Sequence, residues 1–214
     1  MKVEIWSDVV CPFCYIGKRS FEDALSRFDH RDEVEVAWRS FQLDPSMPDH
    51  VEGGLNALLA KKYGRSLEEA RGMNERVTAM AADVGLTYDL DRAQPGNTLD
   101  AHRLLHHARA NGRESELLER LLQAYFVEGE LLSDHPTLVR LAGEAGLDAA
   151  EAEQALASGA FEDEVRAEGE EAHDLGLGGV PAFVLDRRLL VSGAQPADAL
   201  LQALGQAWES RAAA

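Results

Sequence analysis

Apolar and polar positions alternate at both ends of the chain and follow a helical period in between. Alternation with a period of two is typical of strands with one buried face. The segments with this pattern, or with a short apolar run, are 2–6, 32–43, 180–185 and 189–191. Between residues 55 and 158, apolar side chains instead recur every three to four positions, which predicts a bundle of amphipathic helices.

Three further helices are predicted beside the strands. One begins at Pro12, one covers 161–175, and one begins at Pro196. Proline suits a first helical turn because its missing N–H costs nothing there. The first two strands are joined through a helix, so they can lie parallel, and the last two form a hairpin. This order predicts an α/β fold, a mixed four-stranded sheet with helices on both faces.

Two prolines, Pro45 and Pro48, interrupt the pattern after the second predicted strand. We therefore predict two domains. A discontinuous α/β domain is formed by 1–45 and 160–214, and a helical insertion is formed by 46–159. The last four residues of the chain are expected to fray.

Composition narrows the class of protein. In 214 residues the apolar fraction is 45%, which is enough for a sizeable core. The charges give 21 − 38 = −17, and such an acidic chain is a poor partner for nucleic acid and for anionic membranes. No segment has the pattern of a signal peptide or of a membrane span, so we expect a cytoplasmic protein.

The chemistry of the chain is concentrated in its two cysteines, Cys11 and Cys14. They lie at the junction of the first predicted strand and helix, which is the context of a redox-active Cys-x-x-Cys pair. The free N–H groups and the dipole at a helix N-terminus stabilise an anion, so Cys11 is expected to be the nucleophilic thiolate. Cys14, one turn into the helix, is expected to be the resolving thiol. Pro12 and Phe13, between them, are expected to set the redox poise and to contact the substrate.

Two other uses of the cysteine pair are less favoured. A structural disulfide across two residues would stabilise the chain little, because the benefit grows with the length of the closed loop. A zinc site needs about four ligands, and the chain has no further cysteine. We therefore expect no metal and a catalytic role for both thiols.

The residues around the cysteines resemble the DsbA family of thioredoxin-fold oxidoreductases, and in particular its FrnE-like branch. The similarity rests on Ser-Asp-x-x-Cys-Pro-x-Cys-Tyr-x-Gly over 7–17 and on Gly-Val-Pro-Ala-Phe over 179–183. Phe-x-Leu-x-Pro over 41–45 and Asn-Thr-x-x-Ala-His-Arg over 97–103 add weaker support. The resemblance covers essentially the whole chain and implies a thioredoxin-like fold with a large all-helical insertion.

The resemblance also implies a substrate-binding loop. The Val180–Pro181 peptide bond would be cis, with Pro181 facing the cysteines and the backbone of Val180 binding the substrate chain. Recognition through backbone hydrogen bonds tolerates many sequences. From the residues alone, a trans proline that opens an edge strand remains an alternative.

Three polar residues are candidates for supporting roles. Asp8, close before the cysteines, is either a proton shuttle for the resolving thiol or a residue that fixes the turn. Asn97 and His102, in the helical insertion, are candidate contacts of the active site. The alternative for His102 is a hydrogen-bonded core or surface position. The following histidines, His106 and His107, are expected on the surface.

The predicted function is that of a thiol–disulfide oxidoreductase or isomerase with a Cys-Pro-Phe-Cys active site. Its partners would be protein or small-molecule thiols and disulfides. No bound cofactor is expected, and glutathione is a candidate redox partner. The alternative is a glutathione-dependent isomerase or transferase of the 2-hydroxychromene-2-carboxylate isomerase type. Those enzymes as a rule carry serine where Cys11 stands, so the intact pair favours redox chemistry. A binding protein that uses the same groove without thiol chemistry is a third hypothesis.

Overall fold

The computed structural model describes residues 1–212, and these fold as two compact units. The α/β unit consists of residues 1–43 and those from 168 onward, and the helical unit of residues 44–167. The predicted domain limits, 45/46 and 159/160, differ from these, and the second observed limit falls inside a helix. Of the four residues predicted to fray, 213 and 214 lie outside the described residues, whereas 211 and 212 belong to the last helix.

The α/β unit is built on a sheet with the strand order β2-β1-β3-β4. The strands are β1 Lys2–Ser7, β2 Glu35–Ser40, β3 Ala182–Leu185 and β4 Leu189–Ser192. β1 and β2 are parallel, while β3 pairs antiparallel with both β1 and β4. The predicted mixed four-stranded sheet is thereby confirmed.

Helices of this unit pack on both faces of the sheet. They are α1 Pro12–Ser26, the part of α8 (Glu162–Asp174) from residue 168 onward, and α9 Ala197–Ala212. Successive side chains of a strand point to opposite faces. Val3 and Ile5 therefore lie in one core, with residues of α1 and α9, whereas Trp6 lies in a second cluster with Ala172 of α8.

Two strands begin later than the sequence pattern predicts. The pattern places the start of the second strand at residue 32, but Arg31–Glu33 form a 3-10 turn and β2 begins at Glu35. The pattern places the start of the third strand at residue 180, but β3 begins at Ala182. Pro181 has no N–H to donate to a strand ladder, which accounts for the later start.

The helical unit begins with the segment that contains both interrupting prolines. Its helices are α2 Gly54–Tyr63, α3 Leu67–Asp83, α4 Leu99–Ala110, α5 Glu114–Gln123, α6 His135–Glu144, α7 Ala149–Ala157 and the first residues of α8. The residues Ser-Leu-Glu-Glu over 66–69 have the sequence pattern of a capping box and predict a helix start there. The structure confirms it, since Ser66 and Glu69 form that box at the start of α3. Where a capping signal is local, the pattern therefore places the helix start correctly.

Two details of the helical unit differ from prediction. The pattern predicts one helix over 116–127, but α5 ends at Gln123 and Ala124–Glu128 continue as a π-helical turn. His106 is predicted on the surface but is buried, with its ring stacked on that of Phe161. The apolar period alone records neither a change of helix type nor the burial of a polar ring.

Candidate active site

The two cysteines lie where β1 gives way to α1. Cys11 is the N-cap of α1, and Pro12 occupies the first helical turn, as predicted. The turn before the helix is closed by a hydrogen bond from Cys11 N to Asp8 O, 3.1 Å long. Cys14 N in turn donates to Cys11 O over 3.0 Å, so Cys14 lies one turn into the helix.

Both cysteines are unbridged, and they approach each other to 3.4 Å. Cys11 is 3% exposed and Cys14 is 1% exposed. Burial, above all, and the neighbouring Cys11 sulfur raise the pKa of the Cys14 thiol well above its usual value. The nearby Ser7 hydroxyl and a hydrogen bond from the Asp8 backbone N–H act in the opposite direction and lower the pKa of Cys14.

The loop before β3 contains Val180 and Pro181 and faces Cys11; we call it the proline loop. The Val180–Pro181 peptide bond is cis, as the resemblance implied. Cys11 Sγ donates a hydrogen bond to the carbonyl oxygen of Val180 over 3.5 Å. Pro181 is buried against α1, where a β-carbon at Gly17 would lie only 2.8 Å from Pro181 Cγ. Gly17 therefore allows the helix and the proline loop to pack closely.

The two residues between the cysteines differ in exposure. Pro12 is half-buried, while Phe13 is 38% exposed. Phe13 is one of the large apolar side chains that the described part of the chain leaves exposed. An apolar ring thus lies next to the dithiol at the surface of the α/β unit.

The three polar candidates occupy different places. Asp8 is 1% exposed, and its Oδ2 accepts a hydrogen bond from Leu43 N over 2.8 Å. Asn97 belongs to the helical unit, where its Oδ1 accepts from Leu99 N and its Nδ2 donates to Met47 O, both over 2.8 Å. His102 belongs to the same unit and is 1% exposed in α4. Their predicted contact with the active site stays a prediction.

Sequence reasoning missed Ser7, the residue whose hydroxyl acts on Cys14. A signal was available, because Ser7 follows Val3 and Ile5 at alternate positions of β1 and so lies on the same buried face as those two residues. A second missed feature is Lys18, which the helical period places with the polar residues of α1 but which is 3% exposed.

Metal ligands are not clustered in the part of the chain that the structure describes. No group of three or more His, Cys, Asp or Glu side chains among these residues is arranged to hold a metal ion. None of the described helices is both long enough and apolar enough to cross a bilayer.

Comparison with known proteins agrees with this geometry. The crystal structure of a probable DsbA oxidoreductase from Streptomyces coelicolor is 48% identical, has a TM-score of 0.94, and is matched over 98% of this chain and 90% of its own. The cytosolic disulfide reductase DsbM from Pseudomonas aeruginosa, solved with GSH, is 18% identical with a TM-score of 0.66, over 98% of this chain and 100% of its own. A 2-hydroxychromene-2-carboxylate isomerase is 15% identical with a TM-score of 0.73, over 99% of this chain and 98% of its own. The latter two likenesses show a common fold alone.

The family is established by a match that spans nearly the whole chain. A family model described as a DSBA-like thioredoxin domain matches residues 2–205. That range contains the sheet, the dithiol, the proline loop and the helical unit. The chain belongs to the family of DSBA-like thioredoxin domains.

Proposed function

We propose that this DsbA-like protein is a thiol–disulfide oxidoreductase or isomerase that works through Cys11 and Cys14. The observation that carries the proposal is the approach of two unbridged cysteines to 3.4 Å at the N-terminus of α1. A disulfide bond is about 2.0 Å long, so little movement is needed to oxidise the pair.

Cys11 is the proposed nucleophile. As the N-cap of α1, it lies where the free N–H groups of the first turn stabilise a thiolate. Burial, above all, and the neighbouring Cys11 sulfur raise the pKa of Cys14 well above its usual value, which favours the protonated thiol at that position. This asymmetry supports the assignment of Cys14 as the resolving thiol.

The proposed cycle is a pair of thiol–disulfide exchanges. The Cys11 thiolate attacks one sulfur of a substrate disulfide, and the other substrate sulfur leaves as a thiolate with the bonding electron pair. Cys14 then loses its proton and attacks Cys11 Sγ, which forms the Cys11–Cys14 disulfide and releases the second substrate thiolate. The substrate gains two electrons and the dithiol loses two; the reverse sequence oxidises a substrate dithiol.

The proline loop and the residues between the cysteines are proposed to bind the substrate. The Val180 carbonyl already lies 3.5 Å from the Cys11 sulfur, so a chain paired with the loop beside Pro181 would present its disulfide there. Pro12 and the exposed ring of Phe13 would contact apolar parts of the same substrate. Backbone pairing and one apolar contact fit the thiols and disulfides of proteins or small molecules.

The redox partner and the compartment are proposed from the chemistry of the pair. The reaction needs no resident cofactor, because the two thiols hold the electrons that are exchanged. Glutathione could reduce or oxidise the pair in the cytoplasm, where thiols that turn over are maintained. DsbM, which shares the fold, is a cytosolic disulfide reductase solved with GSH, and we extend both properties to this chain as proposals.

The test compares Cys11→Ser and Cys14→Ser in an insulin-reduction assay. Cys11→Ser should abolish turnover because no nucleophile remains. Cys14→Ser should accumulate a covalent mixed disulfide with the substrate, detected by intact-protein mass spectrometry. Ser20→Ala, a buried position further along α1, is the matched control and should turn over like the wild type.

The same variants separate the alternative function. A glutathione-dependent isomerase or transferase has no need of a resolving thiol, so its activity would survive Cys14→Ser. Because a 2-hydroxychromene-2-carboxylate isomerase shares the fold, the same variants are also assayed for glutathione-dependent isomerisation of 2-hydroxychromene-2-carboxylate. Wild-type insulin reduction by both cysteine variants would overturn the proposed redox function.

A further inference from the structure

Ser7 places a buried hydroxyl beside the resolving thiol. Ser7 is the last residue of β1 and is 4% exposed. Its backbone is held by β2, since its carbonyl accepts a hydrogen bond from Phe41 N over 3.1 Å and it lies opposite Ser40 in the strand register. The side-chain oxygen is buried and makes no hydrogen bond of good geometry to any described residue. This hydroxyl lies near the Cys14 sulfur, where it lowers the pKa of that thiol.

A second donor faces the same sulfur. The backbone N–H of Asp8 also forms a hydrogen bond with Cys14. The position of this N–H is fixed, because the Asp8 carbonyl accepts from Cys11 N and closes the turn that leads into α1. The end of β1 therefore directs two hydrogen-bond donors at one buried sulfur.

In the proposed cycle, the charge on Cys14 develops when the mixed disulfide is resolved. Cys14 must then become a thiolate at a site where burial opposes a charge. In the dithiol, the Cys11 sulfur opposes that charge as well, but in the mixed disulfide it is bonded to the substrate and carries no charge. In the mixed disulfide, burial therefore still opposes a charge on Cys14, while the Ser7 hydroxyl and the Asp8 N–H still favour it.

We propose that Ser7 stabilises the Cys14 thiolate in the resolving step, by donating a hydrogen bond to that sulfur beside the one from Asp8 N–H. The inference rests on the proposed function, because it requires Cys14 to be the resolving thiol. In this step the Cys14 proton passes to water, and the thiolate attacks Cys11 Sγ. The Cys11–Cys14 bond forms, and the substrate sulfur leaves with the electron pair of the broken bond. Ser7 keeps its own proton throughout.

The loose geometry of the Ser7 hydroxyl in the dithiol fits this role. A neutral thiol is a weak acceptor, whereas a thiolate attracts a donor strongly. Hydrogen bonds that serve a reacting group are often poorly aligned before the reaction and tighten when charge develops. The hydroxyl is thus placed for the charged state of Cys14 and not for the thiol.

The other ionisable groups near Cys14 are left in place by a substitution at Ser7. Besides Cys11, they include Asp8, whose carboxylate accepts from Leu43 N, and Lys18, which lies one turn further along α1. The Lys18 ammonium pairs with the Glu22 carboxylate over 2.5 Å. A change of the resolving step in a Ser7 variant can therefore be assigned to the lost hydroxyl.

The test follows a single turnover with one equivalent of an aromatic disulfide, 5,5′-dithiobis(2-nitrobenzoate). Attack by Cys11 releases a first coloured thiolate, and attack by Cys14 on the mixed disulfide releases the second. In Ser7→Ala the first phase should be unchanged. We expect the midpoint of the second phase against pH to rise by about one unit, which is a tenfold smaller thiolate fraction at neutral pH.

The pH profile should cross that of the wild type, which a merely structural change would not produce. A thiolate of higher pKa is the better nucleophile, and for one unit this gives about a threefold faster attack. The second phase of Ser7→Ala should then be about threefold slower at neutral pH and about threefold faster above both midpoints. Ser7→Thr keeps the hydroxyl and should keep the wild-type midpoint, as should the control Ser20→Ala.

The outcomes separate the two proposals. If the wild type releases both thiolates and Ser7→Ala has the same midpoint, the role of Ser7 is overturned while the redox function stands. If the wild type releases no second thiolate, the proposed function itself fails.

Thiolate absorbance at 240 nm in a Cys11→Ala background gives an independent measurement, because Cys14 is then the one thiol of the chain. Adding Ser7→Ala should raise its midpoint by about one unit, and an equal midpoint overturns the inference. Circular dichroism checks that each variant is folded. Ser7→Gly removes the same hydroxyl and replaces Ser7→Ala if the alanine variant does not fold.

Discussion

The backbone and the side chain of Asp8 serve different partners. Its N–H donates to the Cys14 sulfur, while its carboxylate accepts from Leu43 N over 2.8 Å. The residue is 1% exposed, so this carboxylate is removed from bulk water. One residue thus connects the active-site turn to the segment that follows β2. This arrangement favours a role in fixing the turn over the proton shuttle that the sequence also allowed.

Two substitutions at Asp8 separate these roles. Asp8→Asn keeps an oxygen that accepts from Leu43 N, so we expect the wild-type rate of the resolving step and nearly wild-type stability. Asp8→Ala leaves that N–H without its acceptor and should lower the free energy of unfolding by about 1–3 kcal/mol. Urea unfolding and the two-phase release of thiolate measure both effects. A slow resolving step in Asp8→Asn, with stability unchanged, would instead support the proton shuttle.

At this scale, local patterns predicted where the cysteines lie but not their surroundings. Cys11 is the N-cap of α1 and Pro12 lies in its first turn, as the local sequence predicted. The alternating pattern of β1 also indicates that Ser7 is buried, because Ser7 lies on the same face as Val3 and Ile5. The bond between Asp8 and Leu43 joins positions 35 residues apart and depends on the register of β1 and β2, which no local pattern specifies.

At the scale of elements, α1 and the proline loop pack closely at Gly17, which has no side chain to keep them apart. Replacing glycine by alanine in a helix normally stabilises it by about 1 kcal/mol, because alanine loses less backbone entropy. At Gly17, however, the new β-carbon would lie 2.8 Å from Pro181 Cγ. The same loop carries the Val180 carbonyl, which accepts from the Cys11 sulfur. A displaced proline would therefore disturb both packing and the proposed substrate site.

We expect Gly17→Ala to lack the usual stabilisation and to raise KM for the disulfide substrate. Gly205→Ala in α9 is the matched control, because no heavy atom lies within 4 Å of its new β-carbon. It should gain up to about 1 kcal/mol in the free energy of unfolding and leave KM unchanged. Urea unfolding and steady-state kinetics of the two variants decide the point. If Gly17→Ala and Gly205→Ala gain the same stability and have the same KM, the close packing at Gly17 does not affect substrate binding.

Element bounds could be predicted where the stop or start signal is carried by neighbouring residues. The capping box of Ser66 and Glu69 is such a signal, and α3 begins where it predicts. The predicted helix over 116–127 lacks a local signal for the π-helical turn that follows Gln123. The 3-10 turn at Arg31–Glu33 likewise shortened a strand whose alternating pattern gave no warning.

For the whole molecule, the first domain limit had a signal in the sequence and the second had none. Pro45 and Pro48 mark the chain where it leaves the α/β unit. The chain returns to that unit at residue 168, inside α8, whose helical pattern continues without a break. A limit within a continuous helix is set by tertiary packing, so it could not be predicted from the residues around it.

The α/β unit also buries charges that the net charge of −17 does not reveal. Glu4 is 2% exposed in β1 and accepts from Arg39 of β2 and from Arg187 of the hairpin turn. Arg39 also pairs with Glu168, over 2.8 Å. The strand pattern predicts that Glu4 lies on one face of the sheet, but its two partners come from two other parts of the chain, β2 and the hairpin turn. A buried carboxylate with two guanidinium partners is where an acid-sensitive contribution to stability should arise.

That contribution has a definite sign. Burial raises the pKa of Glu4, but the hydrogen bonds and charges of Arg187 and Arg39 outweigh it, so the pKa is lowered. A carboxylate whose pKa is lower in the folded state stabilises the fold above its unfolded pKa, about 4.3. This stabilisation is lost as the pH falls through the folded pKa. The wild type should therefore lose stability from about pH 5 downward.

Glu4→Gln removes the charge and should cost about 3 kcal/mol at neutral pH, because two guanidinium groups lose their buried partner. The difference from the wild type should shrink as the pH falls below about 5 toward the folded pKa of Glu4, since the wild-type carboxylate is progressively protonated over that range. Glu35→Gln is the matched control from the neighbouring strand. The side chain of Glu35 is 71% exposed in its pair with Lys2, so its loss should change stability by less than about 1 kcal/mol at every pH. Urea unfolding at a series of pH values measures all three proteins. Parallel curves for the wild type and Glu4→Gln would mean that the buried cluster is not what makes the fold sensitive to acid.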